Sequence, residues 1–512
     1  MRRLLCLVLP FLLGDCVQGD DASLPLCRAN EPCDAPLAPS GLRRLSAREY
    51  RGVVRDLLGI ETAPNTDFDR GRLDNGPRDV WITAELAEDY ERLAWQVASE
   101  AVTSHRSHLV GTCERDCFDA FAATFVPRAY RRAPRTDELA RLRDVWNGAG
   151  PDERDRLEAT CAAVLGSPSF LYREEVGEKN DHGTSSLTDD ELASALSFFL
   201  VGTLPDAELL RAAKAHELTK PEALEAQARR LIATDASKRH FETFLDEWMA
   251  TDGIELRTKD EGVYPRFDAA YRSELHRDVR AFYRGVLDRG GSARALLDTP
   301  IAFRPETPRR YPDARVGILE HPAFLASHGG YDSSGPIPRG VFALGSLFCA
   351  PPAPPPPGIS RRPPEPTQTV TTRERFEAHV TQPICQGCHT AIDGLGFGFE
   401  GFDGVGNART HESGRPVDAS GSIFIPGRTS DAFHGTRELE QRATQRRDVA
   451  MCYSVHLARF AYGGGERSTD EARARALGGG GTPDTTLEEL LLQVIRTRAF
   501  RERRIPNRGG DR

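Results

Sequence analysis

The stretch RRLSAREYRGVVRDLLGI, residues 43–60, carries the signals of an amphipathic helix from its first turn to its last. Ser46 is followed three residues later by Glu49, a spacing at which the two side chains can satisfy free amides of a helix N-terminus. Gly59 offers a left-handed stop at the other end. The apolar stripe between them consists of Tyr50, Val53, Val54, Leu57 and Leu58. The segment therefore predicts a helix that packs on a core by one face.

The same signals recur along the chain. Three further helix starts show the same pairing: Thr188 with Glu191, Thr371 with Glu374, and Thr486 with Glu489. Strand-like alternation is short and rare, and its best case is GSIFIPG at 421–427. The sequence therefore predicts a mainly α fold, in which a multi-helix N-terminal body is joined by a Pro-rich strap to a smaller helical domain.

Length and composition narrow the protein class. A chain of 512 residues is too long for one ordinary domain, so several are expected. Apolar residues make up 39% and charged residues 28%, which is a globular balance. The net charge is −9 and the basic residues are scattered, so the chain lacks the concentrated basic face of a nucleic-acid-binding protein.

The N-terminus predicts export. Two arginines precede a short apolar run, and a small-residue cleavage site after Gly19 gives a signal peptide at 1–19. A flexible leader, 20–40, follows it. The alternative is a lipoprotein acylated at Cys16, although Asp15 stands where such a motif normally has a small residue. The expected location is periplasmic or at the cell surface, with membrane association only if Cys16 is lipidated.

Proline and glycine clusters mark the domain boundaries. The stretch APPAPPPPGISRRPPEPTQ, 350–368, predicts an extended polyproline strap. The predicted divisions after the leader are an N-terminal helical domain at 41–105, an Arg-rich helical domain at 106–180, a central helical domain at 181–310, a domain at 311–410 that includes the strap, and a C-terminal helical domain at 411–512.

The stretch PICQGCHTAIDGLGFGFEGFDGVG, residues 383–406, carries the chemistry. Cys385, Cys388 and His389 form C-x-x-C-H, the motif of covalent c-type haem attachment. On a helix, positions three apart share a face, so both sulfurs can reach one macrocycle while the imidazole ligates its iron. We therefore predict one haem c, with His389 as the proximal ligand.

Two other chemistries use the same residue types. A structural zinc site needs four ligands, and no second C-x-x-C follows, so zinc would have to borrow His379 or Cys452. A thiol–disulfide exchange motif normally follows a strand, whereas helical sequence precedes this one. Both alternatives stay open.

Residues around the motif have predicted supporting roles. Three aromatic residues are expected to line an apolar haem pocket: Phe397, Phe399 and Phe402. Arg409 is a candidate for a haem propionate. Met451 is the candidate distal iron ligand, with His456 as its alternative. Asp393 is expected to cap or bind backbone near the haem edge, and His379 to be a surface or loop histidine.

Of the eleven cysteines, nine follow the predicted signal peptide, and an exported location allows them to form disulfides. The possible pairs are Cys27 with Cys33, Cys113 with Cys117, and Cys349 with Cys452. Cys161 is the expected unpaired residue. The alternative for each of the paired cysteines is a small buried hydrophobic role.

The chain resembles a family of multidomain cytochrome c-like proteins abundant in planctomycetes and myxobacteria, built from several domains of unknown function. The resemblance rests on LRRLSAREYRGVVRDLLGI, FVPRAYRRAPRTDEL, LTDDELASALSFFLVGTLPDAELL, CQGCHTAIDGLGFGFEGFDGVG and TTLEELLLQVIRTRAFRERR. It implies that the smaller helical domain is cytochrome c-like, and that a redox partner or an exported protein encoded next to it is the partner. Departures from the family pattern, such as Gly394 after Asp393, fall near the pocket.

Two functional classes follow from these patterns. The first is an exported electron-transfer protein that acts as a component of an extracytoplasmic oxidoreductase system. The second is an extracytoplasmic binding or scaffold protein whose haem is structural or vestigial.

Overall fold

A computed structural model of the chain describes residues 37–61, 83–301, 315–357, 364–365, 369–425, 430–462 and 481–505. Most of them are helical and the strands are short, so the mainly α prediction is confirmed. The predicted signal peptide, the Cys16 lipidation site, most of the leader and the Cys27–Cys33 pair lie outside the described residues. Among the described residues, no helix has both the length and the apolar composition needed to cross a bilayer.

The first helical body begins with the segment quoted above. Ser46 Oγ accepts from the Glu49 amide, and the Glu49 carboxylate accepts from the Ser46 amide at 2.9 Å, so the predicted capping box is confirmed. The predicted apolar stripe is fully buried. The body's helices are Ala47–Leu58, Ala84–Ser104, Arg106–Val110, Phe118–Tyr130, Thr136–Gly148, Glu153–Leu165 and Pro168–Leu171. Together they enclose a core of their own, which we call the N-terminal core.

A second core, the main core, runs from Leu187 to Phe500. Its longer helices are Asp189–Val201, Ala207–Lys214, Pro221–Ile232, Asp235–Trp248, Ala269–Asp288, Pro383–Gly396, Gly435–Ala443, Arg447–Tyr462 and Leu487–Arg496. Its shorter helices are Ala293–Asp298, Pro322–Ser327, Pro336–Phe342, Thr372–Arg375, Ala378–Thr381 and Arg498–Arg501. Short 3-10 turns at Ile254–Leu256, Ile318–Glu320 and Phe397–Phe399 and a π turn at Ala343–Leu347 complete it.

The capping boxes predicted in the main core form as expected at Thr188, Thr371 and Thr486. The helix start predicted at Thr371 is followed by two short helices, Thr372–Arg375 and Ala378–Thr381. The sequence also predicts a small separate domain behind the Pro-rich strap. Its apolar side chains instead belong to the main core, because Ile392, Leu395 and Phe399 pack into the same buried cluster as the central helices.

Short antiparallel pairs join distant parts of the chain. Strand Gly41–Arg44 pairs with Tyr172–Glu175, with Gly41 opposite Glu175 and Arg44 opposite Tyr172. Thr184–Ser186 lies between Glu178–Lys179 and Glu502–Arg504. Two further hairpins pair His411–Glu412 with Arg415–Pro416, and Ser420–Ile423 with Asp431–His434. Strand Ser420–Ile423 begins one residue before the stretch of predicted alternation, 421–427, of which 426–427 fall outside the described residues.

Disulfides close two loops of different length. The structure bonds Cys113 to Cys117 across a separation of four residues, and Cys349 to Cys452 across 103. Cys161 is buried and unpaired. The described parts of the Pro-rich strap, 350–357 and 364–365, contain no helix or strand. The second disulfide therefore holds the start of the strap against the main core.

Candidate functional site

The C-x-x-C-H motif occupies the first half of helix Pro383–Gly396, which we call the motif helix. Its second half is buried, and it lies unusually close to helix Pro336–Phe342. A Cβ added to Gly340 would lie 2.0 Å from the Ile392 carbonyl oxygen, and one added to Gly396 would lie 2.1 Å from that of Pro336. Glycine is required at both positions, and the close approach fixes the axis of the motif helix on the main core.

The two motif cysteines lie on the solvent side of this helix. Cys388 is exposed, Cys385 is partly exposed, and neither forms a disulfide. Ile384 beside them is 68% exposed, a large value for an apolar side chain in a folded protein. The exposed half of the motif helix therefore presents two thiols and an apolar residue to solvent.

His389 is oriented by a carboxylate one turn further along. Its Nδ1 lies 2.8 Å from Asp393 Oδ1, and the second oxygen, Oδ2, lies 3.2 Å from Nδ1 of His379. Asp393 is 1% exposed, whereas each histidine side chain is about one-fifth exposed. The two imidazole centroids are 3.7 Å apart. Donation from Nδ1 to the carboxylate assigns the tautomer of His389 and leaves Nε2 as the free ligand atom.

A relay of charged side chains holds the segment that carries His379. Glu412 accepts from the backbone amide of Thr372 at 2.7 Å and from its hydroxyl at 2.6 Å. Arg409 donates to Glu412 at 3.0 Å and to Glu400 at 2.6 Å. Burial raises the pKa of Glu400, and the Arg409 guanidinium opposes that rise. Arg409 is therefore paired within the protein, and its contact with a haem propionate stays a prediction.

The glycine- and phenylalanine-rich segment after the motif helix is held by hydrogen bonds from one buried arginine. Arg339, which has no exposed surface, donates to the carbonyl oxygens of Leu325 at 2.9 Å and Asp403 at 2.6 Å, and also to those of Phe399 and Phe402. One buried cation thus satisfies four carbonyl groups, which orders the glycine- and phenylalanine-rich turn without regular secondary structure.

The three predicted pocket phenylalanines have different environments. Phe399 is fully enclosed in the main core, with its ring 6.2 Å from that of Phe324, so it does not line an open pocket. Phe397 is buried below the Arg373 guanidinium, which lies 4.3 Å from the ring centroid. Phe402 is partly buried, and its ring faces Arg315 at 4.7 Å.

The two predicted distal ligands lie on helix Arg447–Tyr462, which packs against helices Asp235–Trp248 and Ala293–Asp298. His456 is buried, and its Nε2 lies 3.9 Å from Cys349 Sγ. The ligand atoms of His456 and of His389 fall into two separate clusters of possible metal ligands. Met451 is half-buried on the same helix as His456. The histidine that the structure brings to His389 is thus His379.

Sequence reasoning assigned neither His379 nor Asp393 its role at this site. Asp393 had a usable signal, because it follows His389 by four residues and so shares its helix face. His379 had none, since it lies on a different short helix and reaches Asp393 only through the turn that begins the motif helix.

Four family models match the chain, and each is described as a protein of unknown function. PSD3 (DUF1587) matches residues 43–103, PSD5 (DUF1595) 117–175, PSD4 (DUF1592) 187–309 and PSCyt3 (DUF1588) 315–412. The chain belongs to the planctomycete multidomain cytochrome c-like family. The motif helix and the charged relay lie within the match to PSCyt3, the cytochrome-like domain of that family. No curated protein and no solved structure matches the chain.

Proposed function

We propose that this member of the cytochrome c-like family binds one haem c covalently and transfers electrons in the extracytoplasmic space. Cys385 and Cys388 would form the thioether bonds, and His389 would ligate the iron. The observation that carries the proposal is the combination of two unpaired, solvent-facing thiols with an imidazole whose Nδ1 is engaged by Asp393. In protein metal sites a ligating histidine almost always donates its other ring nitrogen to such a partner.

The residues present fit a haem on three counts. Thioether formation needs free thiols three residues apart on one helix face, and both are accessible. Iron ligation needs a neutral imidazole with one free nitrogen, and the carboxylate of Asp393 selects that tautomer. A macrocycle also needs an apolar surface nearby, which exposed Ile384 begins to supply.

Each residue has a definite part in this proposal. When bound, the haem supplies reversible one-electron chemistry at its iron. The chain holds the proximal imidazole in one orientation, because the buried oxygen of Asp393 accepts from its Nδ1. The motif helix is itself fixed by the glycine contacts with helix Pro336–Phe342. His456 is not part of this proposal, since its imidazole is buried beside Cys349.

The exposed half of the motif helix also supports electron exchange with a partner protein. A group attached at Cys385 and Cys388 would lie at the surface rather than in a closed cavity, so a redox partner could approach it. The sequence-based signal peptide at 1–19 supports an exported location, where covalent haem attachment by thioether bonds is compatible with an oxidising compartment.

The test is expression of the full chain in a host with the cytochrome c maturation machinery. We expect a pyridine haemochrome spectrum of c type, a mass increase of one haem, and reversible reduction in a redox titration. The Cys385→Ala/Cys388→Ala variant should lack all three. The Cys113→Ala/Cys117→Ala variant, which removes another cysteine pair, should keep them.

The possible failures identify the alternatives. A colourless wild-type protein whose Cys385 and Cys388 cycle between thiols and disulfide would reject haem and indicate thiol–disulfide chemistry. A colourless protein that retains stoichiometric zinc at these residues would indicate a metal site. Attached haem that does not cycle reversibly would indicate a structural role and reject electron transfer.

A further inference from the structure

A second group of sulfur and nitrogen atoms lies in the main core, outside the site described above. It consists of Cys349, Cys452 and His456, whose ligand atoms all lie within 4.8 Å of one another. Cys452 and His456 are four residues apart on helix Arg447–Tyr462 and so share one face. Cys349 reaches them from the loop that follows the π turn Ala343–Leu347. The fold thus brings three soft or borderline ligand atoms together from two distant parts of the chain.

The imidazole of this group lacks an ordinary hydrogen-bond partner. His456 is 6% exposed, and Nδ1 has no partner among the described residues. The polar contact that the structure gives Nε2 is Cys349 Sγ at 3.9 Å, which is longer than a good hydrogen bond. A buried imidazole without a good hydrogen bond costs free energy. Because the His456 ring lies next to two sulfur atoms, a metal ion bound to the nitrogen and the sulfurs together would offset this cost.

We propose that reduction of the Cys349–Cys452 disulfide creates a zinc site in which both thiolates and His456 Nε2 bind the ion. A dithiol reductant supplies two electrons and two protons and becomes a disulfide, while Cys349 and Cys452 become thiols. Binding of Zn²⁺ then releases those two protons to solvent. His456 binds as a neutral imidazole through Nε2 and contributes no proton to this balance.

The arrangement matches what zinc requires. With Zn–S bonds of about 2.3 Å and Zn–N bonds of about 2.0 Å, tetrahedral ligand atoms are roughly 3.5–3.8 Å apart. His456 Nε2 is already 3.9 Å from Cys349 Sγ. The two sulfurs must separate once their bond is broken, and Cys349 is able to move, since it is only partly buried and held at a positive φ of 48°.

The surroundings favour a specific site with access from one side. The His456 ring packs on Trp248, with 5.6 Å between centroids, and Trp248 Nε1 donates to the Ser346 carbonyl at 3.0 Å. Cys452 has no exposed surface, whereas Cys349 is partly exposed at the start of the strap. A metal ion can therefore enter past Cys349, and a water molecule can take the fourth position from the same side.

The test uses the full chain with Cys385→Ala and Cys388→Ala, so that its result does not depend on haem. After reduction by a phosphine, which is then removed, we expect this protein to bind one Zn²⁺ more than its oxidised form. With Co²⁺ as the probe, thiolate-to-cobalt charge-transfer and tetrahedral ligand-field bands should appear only in the reduced form. The His456→Gln substitution, which roughly keeps the side-chain volume, should weaken zinc affinity at least about tenfold.

A matched control removes the other disulfide. Adding Cys113→Ala and Cys117→Ala should leave zinc stoichiometry and the cobalt bands unchanged. Equal zinc binding by oxidised and reduced protein would overturn the proposal, as would unchanged zinc affinity in the His456→Gln variant. Unfolding on reduction that added zinc does not reverse, followed by circular dichroism, would also overturn it. None of these outcomes bears on whether Cys385 and Cys388 carry haem.

Discussion

In the part of the chain that the structure describes, two cysteine pairs lie next to a histidine, in opposite environments. Cys385 and Cys388 lie three residues apart on an exposed helix surface and form no disulfide, whereas Cys349 and Cys452 are 103 residues apart and bonded at the edge of the main core. Local helix geometry places the first pair on one helix face. Tertiary packing brings the second pair together from distant parts of the chain. The comparison teaches that similar side chains are exposed on a local helix face in one place and link distant parts of the chain in the other.

The largest expected effect is a difference in the free energy of unfolding when each cysteine pair is replaced by alanine. A disulfide that closes a loop of about 100 residues contributes about 4–5 kcal/mol by chain entropy, so Cys349→Ala/Cys452→Ala should lower the free energy of unfolding by about that amount. Loss of the short Cys113–Cys117 loop should cost about 2 kcal/mol. The exposed pair carries no such constraint, and in haem-free protein Cys385→Ala/Cys388→Ala should change stability by less than about 0.5 kcal/mol.

Urea unfolding of haem-free protein, followed by helix circular dichroism, measures these differences. An equal loss of unfolding free energy in Cys349→Ala/Cys452→Ala and Cys385→Ala/Cys388→Ala would contradict this distinction between a pair that links distant parts of the chain and a pair on a helix surface. The Cys113 pair supplies the intermediate control, because it differs from the Cys349 pair mainly in the length of the closed loop.

A second prediction concerns the close contact between helix Pro336–Phe342 and the motif helix, which carries the exposed cysteine pair. A methyl group at Gly340 meets the Ile392 carbonyl oxygen at 2.0 Å, so Gly340→Ala should destabilise the protein by about 2–3 kcal/mol and displace the motif helix. Gly387 lies between the two motif cysteines with nothing within 4 Å of an added Cβ. Gly387→Ala should therefore stabilise its helix by about 0.5–1 kcal/mol.

Thermal or urea unfolding of both glycine variants decides this prediction, with haem content as a second readout. Equal stability for Gly340→Ala and the wild type would mean that the two helices are not held at the close approach described. A destabilised Gly387→Ala variant would mean that the exposed half of the motif helix is covered by another part of the molecule.

What the sequence could predict follows the same division between local and distant contacts. Ser46 with Glu49, and the three threonine caps, were predictable because each helix start depends on residues within one turn. The C-x-x-C-H motif was also predictable, because its residues lie within about one helix turn of one another. The pairing of His379 with Asp393 was not, because a tertiary turn creates it. The merging of the segment behind the strap into the main core also depends on packing between distant helices.

The third prediction concerns the imidazole next to the exposed pair. Asp393→Asn removes the negative charge that His389 Nδ1 faces and should reduce the preference of the site for oxidised iron. If that preference falls about tenfold, the midpoint potential rises by about 60 mV, or 1.4 kcal/mol. Asp403→Asn is the matched control, since Asp403 accepts from the backbone amides of Val405 and Asn407 rather than from an imidazole.

Spectroelectrochemical titration of haem-loaded protein measures this shift. A potential that moves equally in the Asp393 and Asp403 variants would assign the effect to the general loss of negative charge near the motif helix. No shift in either variant would contradict the orientation of His389 by Asp393.

The smallest expected effect is a pH dependence of stability that arises from His456, the imidazole beside the buried pair. Burial lowers its pKa to about 3, whereas the unfolded chain takes up a proton near pH 6.5. Below that pH the unfolded state binds more protons, so stability contributed at neutral pH is lost as the pH falls from about 6.5 toward 3. Between pH 6 and 5 this one group accounts for about 1 kcal/mol.

His456→Gln should therefore flatten the fall in unfolding free energy over that pH unit by about 1 kcal/mol, measured by urea unfolding at each pH. The remaining slope should persist, because burial also lowers the pKa of His240 and His321 to about 3. A slope equal to that of the wild type would mean that His456 is reached by solvent or paired with an acidic group. The buried cluster would then share the accessibility of the motif helix, and the contrast between the two cysteine pairs would rest on chain connectivity alone.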